Sequence, residues 1–282
     1  MHRRMAPRPR DSVSAPRYLK RPTLFLVVAI VVIAQFIPLP YVIMQPGPAF
    51  DLLAHNIGFA LDTTTATQAA PASPADLLPN RTVPGTLYAL TVYVSSPDAH
   101  ITAPIVIANW IDGHAAVLPR DFIYPKNENT ATITAKSTKQ MATSESVAKS
   151  AAINYINKLD PTLAAQLRKN KVTFALKETG GPSAGLGFAL ALVAKVENPQ
   201  LINSRKIAVT GTIDESGTVG AIGGIDQKLI SASAKGATIA LIPADNCADL
   251  TALPAHVQIV PIHSLSEAVD FLAGRLSKVP HC

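Results

Sequence analysis

Residues 180–197 read GGPSAGLGFALALVAKVE, and this stretch decides the fold. Two glycines and a proline break any regular element arriving at Ser183. From there to Glu197 apolar residues occupy most faces of a 3.6-residue period, which predicts a deeply buried helix over 183–197. Its neighbours alternate in type. Val172-Thr173-Phe174-Ala175-Leu176 ahead of it reads as a strand. Behind it, Ile207 to Thr210 and Val219 to Ile222 read as short strands about a turn at Glu215-Ser216-Gly217. Ile225 to Lys235 is a helix closed by Gly236, and Thr238 to Ile242 is a strand. Ser264-Leu265-Ser266-Glu267 is a capping box that opens a last helix running toward Gly274. Farther out, Thr86 to Val94 is strand-like and Lys139 to Ile156 carries apolar residues at helical spacing. Ala103 to Trp110 is apolar with an ambiguous period. Helices and strands alternate throughout, so the class is mixed α and β.

The chain has 282 residues, 48% hydrophobic and 16% charged, enough to bury a sizeable core. Its net charge of +6 is a property of one end. Arg3, Arg4, Arg8, Arg10, Arg17, Lys20 and Arg21 are opposed there only by Asp11, and the remainder is close to neutral. No nucleic-acid motif accompanies that charge, so no nucleic-acid partner is expected. The seven histidines show no metal-ligand spacing, and neither a metal nor any other cofactor is expected. Cys247 and Cys282 are too few and too far apart for a disulfide framework; one partly buried thiol and one loose terminal thiol are expected.

Thr23 to Ile37 carries no charge, and apolar character continues to Met44. That length suits a single transmembrane helix over 23–44. Ile37-Pro38-Leu39-Pro40-Tyr41 offers no small-residue cleavage site, which favours an anchor over a cleaved signal peptide. The basic tail, residues 1–22, stays in the cytoplasm by the positive-inside rule and meets anionic lipid. A cell-membrane protein with its bulk outside the cytoplasm follows. Residues 45–84 read as an extended linker, Thr/Ala/Pro-rich over 63–76, ahead of a domain over 85–282.

The chemistry gathers at Gly180–Gly185. A serine at the mouth of a helix meets unpaired N–H groups and the positive end of the dipole. Its hydroxyl can attack a carbonyl while nearby N–H groups hold the oxyanion. The plainer role for Ser183 is to cap the helix. A serine nucleophile needs a base, and no histidine belongs to a G-x-S-x-G pattern. Lys228, in Gly223-Gly224-Ile225-Asp226-Gln227-Lys228, is the candidate, provided burial lowers its pKa. Its plainer role is a solvated surface lysine. Ser146 and Lys149 have S-x-x-K spacing, but K-T-G is absent. A type I signal peptidase is excluded because no serine lies between Ile37 and Leu61.

Gly180 to Gly185, Ala208-Val209-Thr210-Gly211 and the Gly223 to Lys228 run together resemble the peptidase domain of Lon-type proteases. Val42 to Phe50, Gln140-Met141 with Ser144, and Pro243 to Cys247 (PADNC) are similar to the membrane-anchored bacterial Lon-like proteins, which usually carry a PDZ domain. The resemblance implies an α+β fold like the second domain of ribosomal protein S5. It implies Ser183 as nucleophile, Lys228 as general base and Thr210 as support for the lysine amine. It also implies an oxyanion-hole N–H at Ala184, with Gly181 and Pro182 shaping the turn. Peptide or unfolded-protein substrates, ATP-independent cleavage and ring-shaped homo-oligomers are further implications. Two features depart from the family. Too few residues separate Asn157 from the strand at 172 for a PDZ domain, and Gly180 stands where many members carry an acid. A catalytically silent membrane-anchored peptide-binding or assembly protein is the alternative function.

Overall fold

The computed structural model describes residues 21–54, 57–61, 78, 81–126, 128–174, 176, 179–251 and 253–282. The basic tail up to residue 20, the low-complexity stretch 63–76 and Ala175 of the expected strand lie outside the described residues. Helix α1 (Arg21–Ala34) is followed by β1 (Tyr41–Asp51), β2 (Ile57–Leu61) and β3 (Thr86–Val94). Next come α2 (Ala103–Asp112), β4 (Ala116–Pro119), α3 (Arg120–Ile123), α4 (Thr130–Asn157), α5 (Pro161–Lys169) and β5 (Asn170–Phe174). The remainder is α6 (Gly185–Val196), β6 (Lys206–Val209), β7 (Thr212–Ile213), β8 (Val219–Gly220), α7 (Ile225–Ala234), β9 (Ile239–Pro243), a 3-10 turn (Ala244–Asp249), β10 (Gln258–Ile262) and α8 (Leu265–Leu272).

Six strands form one mixed sheet in the order β10-β9-β6-β3-β1-β4. The run β10, β9, β6, β3 is parallel, and β1 is antiparallel to both β3 and β4. Side chains alternate across the sheet, so each strand serves two cores. Ile207, Val209, Leu241 and Val260 face α4, α6 and α8. Ala208, Ala240 and Ile242 face α7 on the other side. The mixed α and β class is therefore realised as a sheet with helices on both faces. All of α6 is buried, as its unbroken apolarity predicts. Each fully buried Leu or Phe there contributes roughly 1.5–3 kcal/mol. At α8 the Ser264 Oγ accepts from Glu267 N at 3.2 Å, while Glu267 Oε2 reaches back to His263 N at 2.7 Å.

Four expectations need correction. The transmembrane helix over 23–44 and the linker from residue 45 are both cut across by β1, which occupies Tyr41–Asp51 between two partner strands. Helix α1 ends at Ala34 because Pro38 and Pro40 cannot continue it. At 14 residues it is about 21 Å long, against about 30 Å of hydrocarbon. Among the described residues no helix is long and apolar enough to cross a membrane. The cysteines are not free either: Cys247 and Cys282 form a disulfide across a separation of 35 residues. Finally, α6 begins at Gly185, so Ser183 stands just ahead of the helix rather than inside it.

Candidate active site

Ser183 sits on a turn pinned from two sides. From α4, Ser137 O accepts from Gly181 N at 3.0 Å and Ser144 Oγ donates to Pro182 O at 3.0 Å. From the segment after β6, Gly211 N donates to Ser183 O at 2.8 Å, and Gly211 O accepts from Leu186 N at 3.1 Å. Gly180 lies directly against α4, where a Cβ would run into the Ser137 side chain. The Ser137 side chain thus occupies the space that an acidic side chain at this position would need. Gly181 has a φ of +84°, in the left-handed region that favours glycine.

The helix is capped at Ala184 without any side-chain hydrogen bond, so Ser183 does not serve as its cap. The Ser183 hydroxyl is half-buried and makes no hydrogen bond to a described residue. It opens on a cavity of about 600 Å³ lined also by Ala184, Lys228, Thr91, Met141 and Phe50. No hydrogen bond engages the buried Ala184 N–H among the described residues, so this donor is open to a ligand.

Lys228 enters from the opposite face of the sheet on the first turn of α7. It is 2% exposed, and its Nζ donates to Thr210 Oγ1 at 3.2 Å. Thr210 is itself fully buried and donates on to Ser183 O at 3.2 Å. One threonine hydroxyl thus joins the amine to the backbone of the serine. Loss of hydration pushes the Lys228 amine down to about 7, so that half of it is neutral near pH 7. Gly224, which starts α7, has a φ of +68° and no room for a Cβ against Met44 Sδ and Val92. Both a left-handed backbone and a close approach make glycine necessary there.

The structure brings together Ser183, Ala184, Thr210 and Lys228, with Gly181 and Pro182 forming the turn. It does not bring in Ser146 and Lys149. Ser146 is exposed on α4, and Lys149 Nζ donates to Asn170 O at 2.6 Å. Among the described residues no cluster of His, Cys, Asp or Glu is placed to hold a metal ion. Three contributors carried no sequence signal. Thr179 Oγ1 is buried beside the cavity with no hydrogen-bond partner among the described residues. Pairing of β3 with β6 stops at Ala89 and Val209, so among the described residues the backbone of 90–93 borders the cavity unpaired on that side. Asn246 binds the backbone just ahead of α7, as described below.

Residues 128–276 match the Lon protease (S16) C-terminal proteolytic domain. The chain is 35% identical over 100 residues to a Lon protease of Endomicrobium trichonymphae, covering 34% of this chain and 12% of that protein. It is 42% identical over 93 residues to Lon protease 1 of Sorangium cellulosum, covering 32% and 11%. It is 40% identical over 84 residues to a mitochondrial Lon protease homolog of Eremothecium gossypii, covering 29% and 8%. The match thus spans only about a tenth of the length of these curated relatives. With more than half of its residues inside the matched region, the chain belongs to the family of the Lon protease (S16) C-terminal proteolytic domain.

Proposed function

We propose that this chain is a serine endopeptidase in which Ser183 is the nucleophile and Lys228 the general base. The observation that carries the reading is the buried amine. Lys228 shares a cavity with Ser183, is linked to it through Thr210, and has its pKa lowered to about 7 by burial alone. Donating one amine hydrogen to Thr210 Oγ1 leaves the nitrogen lone pair for the Ser183 proton. The Ser183 Oγ then attacks the scissile carbonyl. The Ala184 N–H at the start of α6 stabilises the oxyanion, with the helix dipole behind it. The Lys228 ammonium returns the proton to the leaving amine, giving an acyl-enzyme on Ser183. Water, deprotonated by the same amine, releases the acid.

The open edge of β3 at residues 90–93 fits an extended peptide adding as a strand. That favours unfolded segments over folded domains. None of these steps uses a nucleotide, and cleavage is expected to proceed without ATP. We also place the domain outside the cytoplasm, held at a bacterial membrane by the apolar segment Thr23–Ile37. Leu24, Phe25, Leu26 and Ile33 are all more than half exposed on α1, and Trp110 and Ile111 likewise on α2, an apolar surface that lipid would cover. The Cys247–Cys282 disulfide agrees with an oxidising compartment.

The test is cleavage of an unfolded protein by the full chain in detergent, without ATP, from pH 6 to 10. Activity is expected to rise through an ionisation near 7 as Lys228 loses its proton. Ser183→Ala and Lys228→Ala are expected to abolish it while circular dichroism stays unchanged. Retained cleavage in either variant refutes the assignment.

A further inference from the structure

We propose that the segment 244–251 is a redox-sensitive clamp that positions the Lys228 helix, with Asn246 as its positioning residue and the Cys247–Cys282 disulfide as its lock. This rests on the reading of Lys228 as general base and adds a control to it. Asn246 is 1% exposed. Its Oδ1 accepts from Ile222 N and its Nδ2 donates to Ile222 O, both at 2.9 Å, so one side chain pairs with both polar groups of a single residue. Nδ2 also donates to Asp249 Oδ2 at 2.7 Å, which fixes the amide. Ile222 lies two residues ahead of Gly224, whose carbonyl accepts from Lys228 N at 3.1 Å.

A second tie follows on the same segment. Thr251 N donates to Asp226 Oδ1 at 3.2 Å, and Thr251 Oγ1 donates to Asp226 Oδ2. The first turn of α7 is therefore bracketed at Ile222 and Asp226 by side chains, with Cys247 between the two ties. The disulfide joins Cys247 to the final residue of the chain, closing a loop that contains β10 and α8. Opening it removes the one covalent tie between the 3-10 turn and Cys282. Reduction is a thiol–disulfide exchange. A dithiol attacks one sulfur and then resolves to its own disulfide, leaving Cys247 and Cys282 as two thiols, with two electrons and two protons transferred.

A looser clamp admits water around Nζ, which moves the lysine toward its ordinary value. The elements packed most closely on α7 bring Asp51 and Tyr41 from β1, Tyr88 and Tyr93 from β3, and Asp245, Asp249 and, once reduced, the Cys247 thiol from the 3-10 turn; α7 adds Asp226, and Lys235 caps its end. None of these contributes to the lowered value of Lys228, which comes from burial. Hydration is thus the term that reduction changes. An upward move of about one pH unit cuts the neutral amine at pH 7 from about half to about a tenth, close to a fivefold loss of rate.

The experiment uses the full chain in detergent, oxidised, reduced with dithiothreitol, and as Cys282→Ser and Asn246→Ala. Amide hydrogen exchange over 222–230 is expected to speed up at least tenfold on reduction and in both variants, while amides of α6 keep their protection. The basic ionisation of the cleavage rate is expected to move up with it in reduced wild type. Cys282→Ser is expected to be indifferent to the reductant. Unchanged exchange over 222–230 in reduced, folded wild type overturns the clamp, and this measurement requires neither activity nor a foldable variant. Retained cleavage in Lys228→Ala would instead remove the base while leaving the exchange result standing.

Discussion

Helices α6 and α7 deliver the two halves of the candidate site, and they are held in different ways. α6 is buried along its whole length, and the turn before it is fixed by backbone bonds to α4 and to the segment after β6. α7 buries only part of its surface, and its first turn depends on the side chains of Asn246 and Thr251. The serine is thus placed by the core itself. The lysine rides on a helix that buries Ile225, Leu229 and Ala232 in the second core, and its own burial works against folding. The serine turn is fixed by backbone bonds on both sides, whereas the lysine turn adds side-chain ties that can be cut one at a time.

Lys228→Met separates the two most sharply. Activity is expected to fall by on the order of 10³-fold or more, as for other paired nucleophile and base sites. Stability is expected to move the other way. A lysine with a lowered folded-state pKa binds fewer protons folded than unfolded, so its cost is full below about pH 7 and disappears as pH rises toward 10.5. At pH 7 that cost is on the order of 4 kcal/mol, and Met in its place is expected to raise Tm. Ser183→Ala should lose as much activity with stability changed by less than about 0.5 kcal/mol. Equal Tm shifts in the two variants would erase the contrast.

Thr210→Val tests the link between the halves. It keeps the shape but takes from the buried amine its bond to Thr210 and leaves the Ser183 carbonyl with the Gly211 N–H alone. A loss of roughly 1–3 kcal/mol in transition-state stabilisation, or about 10–100-fold in kcat/KM, is expected. Undiminished kcat/KM would show that the amine needs no support. The smallest effect belongs to the α4 contact. Gly180→Ala is expected to destabilise by about 1–3 kcal/mol through crowding against Ser137. Ser137→Gly should relieve part of that, giving a coupling of at least about 0.5 kcal/mol in a double-mutant cycle measured by denaturant unfolding. Strict additivity would place the strain elsewhere.

The legible parts of the sequence were those where one local pattern has one physical reading. The unbroken apolarity of 185–196 after Gly180-Gly181-Pro182 admits little besides a buried helix, and the Ser264 capping box shows itself in four residues. β1 was hidden because Val42-Ile43-Met44 continues the apolar run of Thr23–Ile37, and hydropathy does not distinguish a sheet interior from lipid. Pro38 and Pro40 mark the boundary, yet they lie inside the membrane helix expected over 23–44. Ser183, Thr210 and Lys228 were found through their motifs, whereas the pairing of Asn246 with Ile222 spans 24 residues and leaves no periodic trace. The disulfide spans 35 residues and joins a 3-10 turn to a chain end, so nothing near either cysteine announces it.

Strand β1 also gives the molecule a mechanical axis. Tyr41 begins the strand only seven residues after α1 ends, and the same strand carries Pro48 and Phe50 into the cavity wall. A tension drawn through α1 enters the sheet along β1 and loads its bonds to β3 and β4 side by side, in shear, rather than peeling them one after another. The grip on the N-terminal helix and the wall facing Ser183 therefore share one rod. A tug at one end is felt at the other as a displacement of Phe50 before any strand lets go.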